Sequence, residues 1–263
     1  MAEAKTVATN KFGWVDLSSS DPAAARAFYS KLFGWDAEVI DDPAAGGYGM
    51  FKLGGKEVGG VGPLQNPQQP TAWTAYVLVA DADAAATKAK AAGGTVLAEP
   101  FDVLEEGRMA VLADPGGAVF GLWQPKKHTG WEVERVPNSV CWVENDSRNI
   151  DAARRFYTDV FGWVAKDSGL PGPGAYTEFQ LDGESFAGGM AMPEMVPAEM
   201  PSFWITYFAV ADADGVAARA KELGGSVITE PQDIPEIGRF AVIHDPQGAH
   251  FGILQPAPQM TGA

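Results

Sequence analysis

The sequence has little with which to build covalent or metal cross-links. Among 263 residues there is one cysteine, Cys141, and there are three histidines, His128, His244 and His250. A lone cysteine excludes an internal disulfide, so nothing points to an oxidising compartment. Positive charge is also scarce: 19 Lys and Arg stand against 34 Asp and Glu, a formal net charge of −15. That balance argues against nucleic acid, whose phosphates demand a basic patch, and against docking on an anionic membrane. No apolar run approaches the roughly 18 residues of a membrane span. The opening MAEAKTVATN lacks the apolar stretch of a secretory signal. The expectation is a cytoplasmic protein with no nucleic-acid and no membrane partner. An acidic surface favours solubility, and it also suits a cationic ligand. Apolar residues make up 46% of the chain, enough for a packed core.

What is present is a repeat. FYSKLFGW at 28–35 returns as FYTDVFGW at 156–163, and GRMAVLADPGGAVFGLWQP at 107–125 returns as GRFAVIHDPQGAHFGILQP at 238–256. Between them Trp73, Tyr76, Val79, Asp81 and Asp83 map onto Trp204, Tyr207, Val210, Asp212 and Asp214. The offset slips by three residues in the Pro-rich loops 63–70 and 193–201, where insertions cost little. Duplication of one domain is the simple account. The polar stretch PKKHTGWEVERVPN reads as the linker between copies.

Each copy repeats internally. Asp21 with Pro22 begins a helix whose apolar stripe is Phe28, Tyr29, Leu32 and Phe33 and which Gly34 stops. Sixty residues on, Asp81 opens a second Ala-rich helix that ends at Gly93–Gly94. A strand precedes each helix, near 12–18 and 73–79. Three follow: 36–40, 48–53 and 56–62, then 95–98, 108–113 and 118–124. The predicted fold is α+β, four βαβββ modules in two domains of curved, barrel-like mixed sheet. The expected boundaries are 8–126 for the first domain (modules 8–66 and 71–126), 127–136 for the linker, and 137–258 for the second (modules 137–195 and 202–258). Which modules pair to build each cavity stays open, first with second or first with fourth.

Four such modules, with FYSKLFGW and FYTDVFGW on the first helices and DPGGAVFGL and DPQGAHFGI on the last strands, resemble the vicinal-oxygen-chelate superfamily of glyoxalases, bleomycin-resistance proteins and dioxygenases, and in particular its two-domain actinobacterial members. The resemblance implies two cups, each able to hold a small molecule. It also implies metal ligands at three places per cup: seven residues before the helix-opening residue of each module, and four after the Gly of the DPxG turn. Here those places hold Trp14, Thr74 and Gly121 in the first half, and Trp142, Ile205 and Gly252 in the second. Trp, Ile and Gly side chains cannot ligate a metal, and Thr is a poor ligand. No cofactor is therefore expected, and no metal residue is assigned. A displaced divalent ion is left only the pair His250 and Glu144, which share strand parity with the second cup and are also the sole catalytic candidates. His128, in the linker, is expected to be solvated.

Strand alternation names the cup linings. The first half offers Trp14, Asp16, Thr74, Tyr76 and Trp123; the second offers Trp142, Glu144, Ile205, Tyr207 and His250; Tyr48 and Tyr176 sit at matched places and join them. Aromatic walls with a few polar groups describe a small-molecule pocket, but the same rings could simply fill the core. The retained acids Asp16 and Glu144 need partners if buried, and Arg108 and Arg239 are the matched candidates. Cys141 faces the other way, as a small hydrophobe. Gly59–Gly60 and Gly188–Gly189 lack a phosphate-loop context and read as bulges or close approaches.

The leading functional expectation is metal-independent capture of a small molecule, aromatic or cationic. The alternative is a glyoxalase-like lyase or a hydroxylase/dioxygenase with a non-standard site. A third reading is a partner-binding module with vestigial pockets. Two fused domains suit a monomer as well as a homodimer.

Overall fold

The computed structural model describes residues 9–169, 176–192 and 196–258. The first module is β1 (Phe12–Ser19), α1 (Pro22–Phe33), β2 (Asp36–Val39), β3 (Gly49–Leu53) and β4 (Lys56–Pro63). The second is β5 (Ala72–Leu78), α2 (Ala82–Ala91), β6 (Thr95–Val103), β7 (Gly107–Ala113) and β8 (Val119–Pro125). The third is β9 (Val140–Ser147), α3 (Ile150–Phe161), β10 (Val164–Asp167), β11 (Thr177–Leu181) and β12 (Glu184–Ala191). The fourth is β13 (Phe203–Ala209), α4 (Ala213–Glu222), β14 (Ser226–Ile234), β15 (Gly238–His244) and β16 (His250–Pro256). A 3-10 turn at Pro43–Ala45 is an addition to the expected elements.

The helices begin where side-chain caps are available. The carboxylate of Asp21 accepts the Ala24 amide at 2.9 Å, Asp81 that of Ala84 at 2.9 Å, and Asp212 that of Gly215 at 3.0 Å, while the Asn149 amide oxygen accepts that of Ala152 at 3.1 Å. Each cap satisfies an amide that the helix leaves unpaired and contributes about 1 kcal/mol. Gly34 and Gly162 end α1 and α3 at φ 72° and 77°, in the left-handed region.

The strands form two eight-stranded mixed sheets, ordered β2-β3-β4-β1-β5-β8-β7-β6 and β10-β11-β12-β9-β13-β16-β15-β14. Each draws its strands from one sequence half. Both orders end in edge strands, so the expected barrel-like sheets are open rather than closed. The parallel pairs are β1–β4, β5–β8, β9–β12 and β13–β16. Register slips opposite Phe51 and Phe179 put a bulge beside Gly59 and one beside Ala187.

Packing groups the modules differently. Of the described residues, those within Met1–Trp14, Ala75–Gly130 and Val143–Trp204 form one compact unit, and those within Val15–Thr74, Trp131–Trp142 and Ile205–Ala263 form another. Sequential modules therefore share a sheet, whereas packing joins the second module with the third and the first with the fourth.

In the first compact unit, Tyr157 of α3 is fully buried. Its hydroxyl donates to Asp114 at 3.1 Å and accepts from the Trp204 indole at 2.7 Å. Asp114 also accepts the Gly116 and Ala118 amides of its own turn, at 2.8 and 2.9 Å. The second compact unit repeats the arrangement. Tyr29 donates to Asp245 at 3.1 Å and accepts from Trp73 at 2.9 Å. Burial raises both phenols well above their ordinary pKa and raises both carboxyls. The helix motif and the DPxG turn motif are thus two ends of one buried hydrogen-bond chain.

Candidate functional site

On β1, Val15 and Leu17 are fully buried, and Trp14, Asp16 and Ser18 alternate with them. The neighbouring glycines fix which face is which. A Cβ added at Gly59 would meet Val15 and Trp73, whereas one at Gly60 would overlap the Tyr48 hydroxyl, and one at Gly62 would press on the Tyr48 ring at 3.0 Å. Asp16 pairs in register with Gly60 and so projects on the Tyr48 side. There the Tyr48 hydroxyl donates to the Asp16 carboxylate at 3.4 Å. The close approach expected at Gly59–Gly60 makes room for this phenol.

The third module builds a tighter copy. Tyr176, just before β11, donates to Glu144 at 2.7 Å. Glu144 pairs in register with Gly188, the counterpart of Gly60. Two residues along the same face stands Asp146, where the first half has Ser18. Burial, and then the charge of Glu144, push the Asp146 carboxyl up to about 8. Asp146 was missing from the sequence-derived lining. Its signal was the acid-x-acid spacing in CWVENDS, which a search for features common to both halves passes over.

The predicted partner arginines lie elsewhere. Arg108 grips Asp83 through two bonds of 2.7 and 2.9 Å. Arg239 grips Asp214 in the same way. A phenol faces each of the two retained acids.

The remaining candidates form packed rings. An added Cβ at Gly121 would overlap the Tyr76 ring, and one at Gly252 the Tyr207 ring. Tyr76 is 5% exposed and Tyr207 is 8% exposed. Trp123 covers Gly107, and its indole donates to the His128 carbonyl at 2.9 Å. His128, expected in solvent, instead packs edge-on to Trp14 with ring centres 4.3 Å apart. The start of the expected linker is therefore part of the first compact unit's packing. Thr74 and Trp142 are half-buried, and Ile205 is buried. The Cys141 thiol contacts the Tyr207 carbonyl at 3.4 Å and is pushed up to about 12 by burial, so it is no nucleophile.

His250 lies on the face predicted, because its neighbour Phe251 is fully buried on the other. Directly opposite it on β15 stands His244, with ring centres 6.2 Å apart. Burial first, and His244 second, lower the His250 imidazole to about 4.

The residues at the six places where a metal was implied do not fit one. Trp14, Thr74, Gly121, Trp142, Ile205 and Gly252 supply no strong donor, and Tyr76 and Tyr207 occupy the space that side chains at Gly121 and Gly252 would need. Among the described residues no group of three or more His, Cys, Asp or Glu side chains is placed to hold an ion.

Two open mixed sheets of paired βαβββ modules, each carrying an acid–phenol pair, define a two-domain glyoxalase-like protein. The profile of the Glyoxalase/Bleomycin resistance protein/Dioxygenase superfamily matches residues 11–122 and 147–253, and the chain belongs to that superfamily. It is 40% identical over 250 residues to CFP32 of Mycobacterium tuberculosis (strain CDC 1551 / Oshkosh), provisionally named a glyoxylase, covering 94% of this chain and 95% of that one. It is 41% identical over 256 residues to the anthracycline biosynthesis protein DnrV of Streptomyces peucetius, covering 92% of each. The Mn(II)-bound glyoxalase from Novosphingobium aromaticivorans shares the fold at a TM-score of 0.63 and 18% identity, over 95% of this chain and 89% of that one. Among the described residues no helix is long and apolar enough to cross a membrane.

Proposed function

We propose that this protein captures a small aromatic or cationic molecule in the cytoplasm without using the superfamily's usual metal position. The observation that carries the proposal is the acid–phenol pair present in each half, Asp16 with Tyr48 and Glu144 with Tyr176. A phenol that donates to a carboxylate holds it in one orientation. The carboxylate's remaining lone pairs then accept from a ligand hydroxyl or amine. Half-buried Tyr48, Trp142 and Tyr176 supply aromatic surface at low conformational cost. The likeness to a protein named for anthracycline biosynthesis supports an aromatic ligand. The second half suits a cation best, since it sets two carboxyls, Glu144 and Asp146, on one face of β9.

The test is thermal unfolding of chelator-treated protein with an anthracycline and with a panel of aromatic amines. A ligand that binds only the native state raises the midpoint. Hydrogen bonds to a charged group contribute about 1.5–3 kcal/mol, so Glu144→Gln is expected to weaken binding by roughly tenfold to a hundredfold. Stabilisation that appears only after a divalent metal is restored, or an unchanged affinity in both Glu144→Gln and Asp16→Asn, overturns the proposal.

A second reading, proton abstraction next to a carbonyl, is favoured by one observation: a carboxyl raised to about 8 is a competent base near neutral pH. Turnover that Asp146→Asn abolishes while binding persists separates it from capture.

A further inference from the structure

We infer that His244 and His250 form a two-histidine site for a borderline divalent transition metal such as zinc or nickel, separate from the superfamily's metal position. The two residues flank the Asp245–Ala249 turn and are the last pair of the β15–β16 ladder, directly opposite each other. Opposed residues of an antiparallel ladder project on the same face. Their neighbours Ile243 and Phe251 are fully buried on the other face, so both imidazoles stand on the side where Tyr207 covers Gly252.

The spacing is close to what one ion requires. An imidazole nitrogen binds zinc at about 2.0–2.1 Å, so two rings on one tetrahedral ion have centres roughly 5.2 Å apart, and the pair must close by roughly 1 Å to share it. The observed separation is 6.2 Å with the ring planes at 58°. The chemistry fits as well. Nitrogen donors select zinc, nickel or copper over magnesium or calcium, which take oxygen. Two protein ligands leave further positions to water or to donor atoms of a bound molecule. The first half has Ala113 and Val119 at the matched places, so the site belongs to the second half alone.

The site is tested by titrating the full chain with zinc in a calorimeter, in excess magnesium to occupy surface carboxylates. One equivalent of zinc per chain is expected. His244→Gln and His250→Gln are each expected to weaken uptake at least tenfold, and His128→Gln to leave it unchanged. Zinc should also raise the thermal midpoint of the parent and of His128→Gln, but not of the other two. Either His244→Gln or His250→Gln suffices should the other lose cooperative unfolding. Absence of uptake by the parent, or parental affinity in both variants, overturns the inference. Binding of an aromatic ligand after chelation is a separate readout and tests only the capture reading.

Discussion

The claim that tyrosine rings close the superfamily's carboxylate position can be tested through Gly121. An alanine there places a Cβ into the Tyr76 ring, overlapping several of its atoms. Tyr76 is 5% exposed, so the ring has little freedom to move aside. Overpacking of this kind costs about 1–3 kcal/mol, and the upper part of that range applies where the obstacle is a buried ring. Against it, replacing a glycine in ordinary strand conformation reduces unfolded-state entropy and returns about 0.4–1 kcal/mol. The net expectation is a destabilisation of about 1–2 kcal/mol, read as a lower urea midpoint at unchanged slope. In a Tyr76→Ala background the obstacle is gone, so the same substitution should cost nothing, giving a coupling of at least about 1 kcal/mol in the double-mutant cycle. Gly252→Ala with Tyr207→Ala is the internal duplicate. A Gly121→Ala midpoint within about 0.5 kcal/mol of the parent, or a cost undiminished without Tyr76, refutes the closure and reopens position 121 to a ligating side chain.

Asp146 governs a pH dependence. Its folded pKa is raised to about 8, above that of an unfolded Asp, so the folded state holds the proton more tightly. The stability this confers is complete below about pH 4 and is lost as pH rises towards about 8. Asp146→Asn should remove that decline, so urea midpoints of parent and variant compared from pH 5 to 8 must diverge; parallel curves would show that the pair does not share a proton. Tyr29→Phe deletes a hydroxyl that both accepts from Trp73 and donates to Asp245 in the interior. An orphaned indole N–H and a weakened carboxylate should together cost about 2–4 kcal/mol in urea unfolding, and Tyr157→Phe should match it. A loss below about 1 kcal/mol in either would mean the chain of bonds contributes no net stability.

The sequence makes the strands and helices legible because their signals are local. Asp21 with Pro22, Asp81, Asn149 and Asp212 mark helix starts, and the alternation around Val15 and Leu17 marks a strand with one buried face. The duplication supplies the module count. The partner choices are not legible, because they depend on contacts between segments far apart in the chain. Arg108 lies in the same sequence half as both Asp16 and Asp83, and only the fold selects Asp83. His128 reads as solvated beside Lys126 and Lys127, yet Trp14 offers a ring face that no local pattern announces. Tyr29 reads as one more apolar position on a helix, whereas its hydroxyl reaches Asp245, 216 residues away. Comparing the halves even hid Asp146, since its counterpart is a serine.

That difference between copies is itself informative. The residues that hold each compact unit together are the same in both halves: Tyr29 and Tyr157, Asp245 and Asp114, Trp73 and Trp204, Gly252 and Gly121. Other positions on the sheets differ: Asp16 and Ser18 against Glu144 and Asp146, Ala113 and Val119 against His244 and His250, Trp123 against Leu254. Packing tolerates little change in a buried ring or a buried hydrogen bond, so identity at the first set follows from stability alone. No such constraint binds the second set, and there the second half carries two imidazoles and a carboxyl that the first half lacks. A pair of vestigial pockets would drift towards apolar filling, because an unneeded buried acid costs free energy. The second half holds Asp146 beside Glu144 in spite of that cost. On the capture reading, an acid kept at that cost is one that a bound cationic group pairs with.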